Sequence, residues 1–144
     1  MKSYTDLEQS KKLAEILPLK SADMTLPFRH TQKDEYIQEH VGTRSYIDVY
    51  NEMIALPGMD KEQVCKLIQP CWSLAALLEE IPSIIVNNVG EDLRLHIDKD
   101  NLQYSLFYEN EYTGDMFEIE TELYDDMIDA CYEMIIKLHE LNLL

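Results

Sequence analysis

Cysteine and histidine are the side chains of this sequence best suited to metal binding or nucleophilic catalysis. Cys65 and Cys71 follow two histidines, His30 and His40. This spacing does not fit a structural zinc site, because such sites usually bring their ligands in close pairs two to four residues apart. Cys71 precedes Trp72 as in one cysteine-protease signature, but the glycine and the second cysteine of that signature are missing. We therefore interpret the cysteines as reduced core thiols and predict no catalytic residue, metal or cofactor.

Carboxylates offer two further kinds of chemistry, calcium binding and general acid–base catalysis. Asp98, Asp100 and Asn101 open like a calcium-binding loop. However, Leu102 stands where such a loop needs an oxygen ligand and Gln103 stands in place of its glycine, so a hairpin turn is the better interpretation. Paired carboxylates could act as general acid and base, but with 28 acidic residues chance pairs are expected and none stands out. An enzyme is the least favoured class of function.

Negative charge is the strongest feature of the composition. The 144 residues include 28 acidic and 12 basic side chains, a formal net charge of −16. A protein that binds nucleic acid directly needs a basic surface to neutralise phosphates, whereas lysine and arginine are few and scattered here. Residues 109–133 hold ten acids and no lysine or arginine. We therefore expect no direct nucleic-acid binding, and one strongly negative surface.

That surface is predicted to centre on the last helix, which we expect to begin with Thr121 as its cap. Acids then recur at three- and four-residue spacing opposite the buried side of the helix, so they form an exposed row of like charges. Tyrosine next to acids suits a basic protein partner. The predicted partner-binding residues are Glu122, Asp125, Asp126, Asp129 and Tyr112.

A central helix over residues 70–82 is predicted to organise the packing. Pro70 and Pro82 bound it, Ser73 can cap its start, and it carries Trp72, the only tryptophan. Further helices are predicted over residues 5–17, 43–56, 60–68 and from Thr121 to the C-terminus, with capping boxes at Thr5/Glu8 and Asp60/Gln63. Over 43–56 the β-branched and aromatic residues leave a strand as the alternative.

After residue 82 apolar and polar residues alternate, which is typical of strands with one buried face. Leu93, Leu95 and Ile97 form the apolar side of one such strand. Strands are predicted at 93–97, 102–108 and 116–120, with a short one near 25–30. Whether residues 84–86 form a further strand or part of a connection is undecided from the sequence. The predicted fold is α+β, with a three- or four-stranded antiparallel sheet packed against N-terminal, central and C-terminal helices. A single domain over residues 1–144 is the simplest organisation.

Three segments have distinctive sequences and together cover about a third of the chain. They are LEQSKKLAEILPLKSADM (7–24), PCWSLAALLEEIP (70–82) and DACYEMIIKLHELNLL (129–144). They resemble segments of small uncharacterised proteins encoded by phages and other mobile elements of gut bacteria. The resemblance implies a mobile-element origin, but no activity, cofactor or catalytic residue. Residues 28–69 have no counterpart in it and could be a variable insert. With no apolar run near the roughly 20 residues of a membrane span and no signal core, we expect no membrane partner and a place in the cytoplasm of the bacterial host cell.

These observations favour a non-enzymatic accessory protein of a phage or mobile element that binds a host protein with a basic surface. A negative surface steers basic partners and speeds their encounter, although acidity could also serve only to keep the protein soluble. Two alternatives stay open: a protein that sequesters a small molecule or nucleotide, and a mimic of nucleic acid. A sequestering protein would need a local cluster of cations drawn from Arg29, Lys33, Arg44 or Arg94. The sequence leaves the oligomeric state open.

Overall fold

The computed structural model describes residues 1–114 and 116–144, without the side chains of residues 116–118. Within these residues it contains five helices and two antiparallel sheets, which confirms the α+β prediction. The chain divides into two compact units, which we call the N-terminal unit (residues 4–76) and the C-terminal unit (residues 1–3 and 77–144). The single domain and the variable insert at 28–69 stay predictions.

The N-terminal unit is built on a three-stranded sheet with helices beside it. Its elements are α1 (Leu7–Ala14), β1 (Met24–His30), β2 (Tyr36–Gln38), α2 (Tyr46–Ile54), α3 (Lys61–Leu67) and β3 (Ile68–Cys71), with a 3₁₀ turn at Leu19–Ser21. The strand order is β2-β1-β3. The predicted strand near residues 25–30 is therefore confirmed, but its two partner strands were not predicted. A second sheet is the main addition to the predicted fold.

Side-chain caps fix where the helices of this unit begin. The predicted capping box of α3 is present, since Asp60 Oδ1 accepts a hydrogen bond from the Gln63 N–H at 2.9 Å. In α1 the box forms one residue later than predicted, between Asp6 and Gln9. The reason is that Thr5 is fully buried and its hydroxyl accepts a hydrogen bond from the Trp72 N–H at 3.2 Å.

The central segment differs from the predicted continuous helix over residues 70–82. Pro70 belongs to β3, where it pairs with Thr25, and the helix α4 spans only Leu74–Glu80. Proline is tolerated here because β3 is an edge strand. Ser73 caps α4 as predicted, its Oγ accepting a hydrogen bond from the Ala76 N–H at 3.3 Å.

The C-terminal unit holds a four-stranded antiparallel sheet and the last helix. Its elements are β4 (Ile84–Val86), β5 (Asp92–Asp100), β6 (Gln103–Glu109), β7 (Met116–Glu120) and α5 (Met127–Glu140), with strand order β4-β5-β6-β7. Residues 84–86, left open by the sequence, form an edge strand. The predicted hairpin turn lies at residues 101–102, and Asn101 takes a φ of 57°, a left-handed conformation that asparagine tolerates.

Helix α5 packs against β6 and β7. It buries seven side chains along its length, namely Met127, Ile128, Ala130, Cys131, Met134, Ile135 and Leu138. Leu123 and Leu141 flank this helix, and both side chains are about half exposed because they lie outside the segment that covers the sheet. Ile97, predicted to be buried on β5, is also half exposed, so burial on this strand is concentrated at Leu93.

Candidate protein-binding surface

The predicted row of acids on the last helix is wrong, because α5 begins at Met127 instead of Thr121. Thr121 is buried, and its Oγ1 accepts a hydrogen bond from the Leu106 N–H at 2.9 Å, which holds the chain after β7 against β6. Glu122 and Asp125 therefore precede the helix. Asp125 is exposed, and its Oδ1 accepts a hydrogen bond from Gln103 Nε2 at 3.1 Å.

Asp126 and Asp129 hold the start of α5 to the first residues of the chain. Asp126 is only 8% exposed; its Oδ1 accepts a hydrogen bond from the Ile128 N–H at 2.9 Å, and its Oδ2 accepts one from the backbone N–H of Lys2. Asp129 forms an ion pair with Lys2 Nζ at 2.7 Å. Both carboxylates thus have a structural role within the C-terminal unit, and Asp126 is poorly placed to meet a partner.

We expect Asp126→Ala to lower the free energy of unfolding by about 1–2 kcal/mol, because it removes an N-cap that also accepts a hydrogen bond from Lys2. Urea unfolding followed by circular dichroism measures the change. Asp125→Ala is the matched control, since it removes a neighbouring but exposed carboxylate and should cost well under half as much. Equal losses in the two variants would show that Asp126 has no special capping role.

Tyr112 lies far from the other predicted partner-binding residues. It is 98% exposed in the turn between β6 and β7, where its N–H donates to Asn110 Oδ1 at 3.0 Å. Asp125 lies at the opposite end of β6, next to Gln103, so the two are separated by about 20 Å of strand. The five residues do not form one patch. Of the ten acids in residues 109–133, Asp115 and the side chain of Glu118 lie outside the described residues.

The structure instead brings acids together on the sheet face that points away from the buried side. Residues directly opposite in an antiparallel pair point to the same side, and the buried side carries Ile85, Leu93, Leu106, Tyr108 and Ile119. We call the other side the acidic sheet face; its residues are Ile84 and Val86 on β4, Asp92, Arg94, His96, Asp98 and Asp100 on β5, Gln103, Ser105, Phe107 and Glu109 on β6, and Glu120 on β7. Of these side chains only Ser105, opposite Asp98, is buried; the others are exposed or half-exposed.

An aromatic pair occupies the middle of the acidic sheet face. The rings of His96 and Phe107 stack in parallel with their centroids 5.3 Å apart. His96 Nε2 is enclosed and lies 3.4 Å from Glu109 Oε2, close enough for attraction when the imidazole is protonated but without the geometry of a hydrogen bond. Arg94 pairs with Glu111 at 3.2 Å beyond the end of β6. Five carboxylates of the acidic sheet face therefore surround this aromatic pair. Arg94 is the one permanent cation among the residues that define the face.

The acidic sheet face belongs to the more strongly charged unit. The C-terminal unit has 17 acidic and four basic residues, a formal net charge of −13, whereas the N-terminal unit has 11 and eight, a net of −3. Asp125 adjoins the face through Gln103, which pairs with Asp100 across the hairpin. One predicted partner-binding residue, Asp125, is therefore next to the surface that the fold assembles.

The arginines expected to form a cation cluster for a nucleotide are each paired with a different carboxylate. Arg29 meets Glu39 at 3.0 Å. Arg44 donates two hydrogen bonds to Glu52, at 2.6 and 2.8 Å, and these bonds raise the pKa of the guanidinium and lower the pKa of the carboxyl. Arg94, already paired, lies in the other unit. These pairings do not favour a phosphate site built from the predicted cations.

Two of the three cysteines are core thiols, in agreement with the sequence interpretation, and the third is only half-buried. Cys71 and Cys131 are completely buried, and Cys65 is half-buried. Burial raises the pKa of Cys71 above its ordinary value and raises that of Cys131 to about 12. Within the part of the chain that the structure describes, no three Cys, His, Asp or Glu side chains are grouped so as to hold a metal ion. A raised thiol pKa is the opposite of what nucleophilic catalysis requires.

Comparison with protein-family models, with curated proteins and with solved structures found no match for this chain. Across residues 1–114 and 116–144, no helix has the length and apolar character needed to cross a membrane.

Proposed function

We propose that this protein is a non-enzymatic accessory protein of a phage or other mobile element, and that it binds a basic host protein through the acidic sheet face. The observation that carries the proposal is a single open side of a sheet on which five carboxylates surround an apolar centre. The mobile-element origin is supported by the sequence resemblance of residues 7–24, 70–82 and 129–144.

The composition of the acidic sheet face suits a protein partner. Protein interfaces commonly have an apolar and aromatic centre within a polar rim. Here the half-exposed Phe107 lies in the middle of the face, and Ile84 and Val86 add exposed apolar surface on the edge strand β4. The rim is negative, so it would attract a basic partner over the Debye length of about 10 Å at 0.1 M salt. We expect the apolar centre to supply most of the affinity. The negative rim would raise the encounter rate and select the partner.

The triple variant Asp98→Asn, Asp100→Asn and Asp125→Asn tests the proposal at the hairpin end of the face. Asparagine keeps the acceptor that Asp98 offers to the Lys99 N–H and the one that Asp125 offers to Gln103, so the fold should be retained. We expect capture of basic proteins from a bacterial lysate, identified by mass spectrometry, to fall about tenfold, equivalent to about 1.4 kcal/mol. Capture by the unmodified chain should also weaken steeply as salt rises.

A matched control changes the same amount of charge in the other unit. Glu15→Gln, Glu35→Gln and Asp48→Asn remove three exposed carboxylates of the N-terminal unit. This variant should capture the same proteins as the unmodified chain. If both triple variants lose capture equally, only overall charge matters. If neither loses it, the acidic sheet face is a solvated surface and the proposal fails.

A further inference from the structure

Two adjoining grooves in the N-terminal unit share Tyr36 and Lys66 in their walls. Their volumes are about 520 and 340 Å³, within the range of small-molecule sites. The first lies between the end of the β1–β2 hairpin and the turn at residues 56–59, where Gly58 has a φ of 77°. The second is lined by Phe28 and Lys11 in addition to the two shared residues. We call the two together the Tyr36 groove.

The Tyr36 groove has an apolar body and an aromatic wall. Met59 and Leu67 line the first part. The Tyr36 ring stacks on His30 with centroids 4.8 Å apart and an angle of 17° between the planes, and Tyr36 remains 41% exposed. His30 is itself held in place, since its Nε2 lies 2.7 Å from Asp34 Oδ1. A flat aromatic ligand could therefore rest against a ring whose orientation is already fixed.

The lining of the groove is much less acidic than the chain as a whole. Nearly one residue in five of this protein is acidic, yet the residues that line the two grooves include no Asp or Glu and do include Lys11 and Lys66. The nearest carboxylate to the Lys66 ammonium is that of Glu62, at 3.6 Å, and this pair is exposed on both sides. Such exposed ion pairs contribute little to stability, so Lys66 can exchange Glu62 for the carboxylate of a ligand.

We propose that the Tyr36 groove binds a small planar aromatic carboxylate, with the ring against Tyr36 and the carboxylate on Lys66. A lysine and a carboxylate form a charge-assisted hydrogen bond, which is stronger than one between neutral groups. The apolar wall accounts for affinity, and Lys66 accounts for the choice of an anion. This site is separate from the acidic sheet face, because all its lining residues belong to the N-terminal unit.

Three probes separate the two contributions in a titration of the full chain followed by ¹H–¹⁵N correlation spectra. They are 1-naphthoate, the neutral 1-naphthamide and the non-aromatic cyclohexanecarboxylate. We expect naphthoate to give saturable shifts at the amides of Tyr36, Gly58 and Lys66. Each of the other two probes should bind about fivefold more weakly, the change that a difference of about 1 kcal/mol produces.

Substitutions in the groove then assign the roles. Lys66→Gln should make naphthoate bind no better than naphthamide, and Tyr36→Ala should weaken both naphthalene probes about fivefold. Lys61→Gln, which removes an exposed lysine of α3 outside the groove, is the control and should change neither. The proposal would be overturned by equal affinity for all three probes, by shifts centred elsewhere, or by a Lys66→Gln variant that binds like the unmodified chain. Failure of the lysate capture described above would not affect it.

Discussion

Trp72→Ala is expected to lower the free energy of unfolding by about 3–5 kcal/mol, a large part of the 5–15 kcal/mol typical of a folded domain. Trp72 is completely buried, and its backbone and side chain both form hydrogen bonds. Its carbonyl accepts a hydrogen bond from the Thr5 N–H at 3.0 Å, and its indole Nε1 donates one to Ser21 Oγ at 2.9 Å. Truncation would leave a cavity between the segments that precede α1 and β1.

Urea unfolding followed by far-ultraviolet circular dichroism measures this loss without relying on tryptophan fluorescence. Trp72→Phe is the informative control, because it keeps a six-membered aromatic ring in the core while it removes the bond to Ser21 and the smaller ring of the indole. It should cost less than half of the alanine substitution. An unchanged midpoint for Trp72→Ala would mean that this tryptophan is not part of the core.

Local signals predicted most of the helices and the alternating strands β5, β6 and β7, whereas β2 and β3 were not predicted. Helix α3 follows from the Asp60/Gln63 capping box, which lies within four residues. Strand β3 takes its conformation from pairing with β1, more than 40 residues earlier, and so an apparent start of a helix at Pro70 became a strand. Strand β2 is exposed along its whole length, so it has no apolar pattern to indicate it.

The candidate surface was partly present in the sequence. The alternation that predicted a buried side at Leu93 also put Arg94, His96 and Asp98 on the other side of β5, and these three residues belong to the acidic sheet face. Which neighbours join it depends on the register with β6 and β7, which alternation alone cannot supply. The start of α5 was missed for a similar reason, since Thr121 bonds to Leu106 on another strand instead of capping the helix.

Alkaline pH should destabilise this protein, and Cys131 should account for a defined share of the effect. Burial favours the neutral thiol and raises its pKa from 9.0 to about 12. Between these values the unfolded chain has lost a proton that the folded protein still holds. The free energy of unfolding therefore falls as pH rises, by up to about 1.4 kcal/mol per pH unit. Below pH 9 both states hold the proton and the contribution is constant.

Cys131→Ala should remove this contribution, so that its loss of stability between pH 8 and pH 11 is smaller by about 2–3 kcal/mol than that of the unmodified chain. Part of the alkaline loss should remain, because burial also raises the pKa of Tyr46 and of Tyr124 from 10.0 to about 12. Urea unfolding under reducing conditions at each pH gives the two profiles, each taken relative to its own value at pH 8. Met134→Leu, a core substitution on the same helix without a titratable group, should keep the steep profile. If Cys131→Ala also keeps it, the thiol is not held neutral by burial, and the packing of α5 against the sheet is looser than the structure indicates.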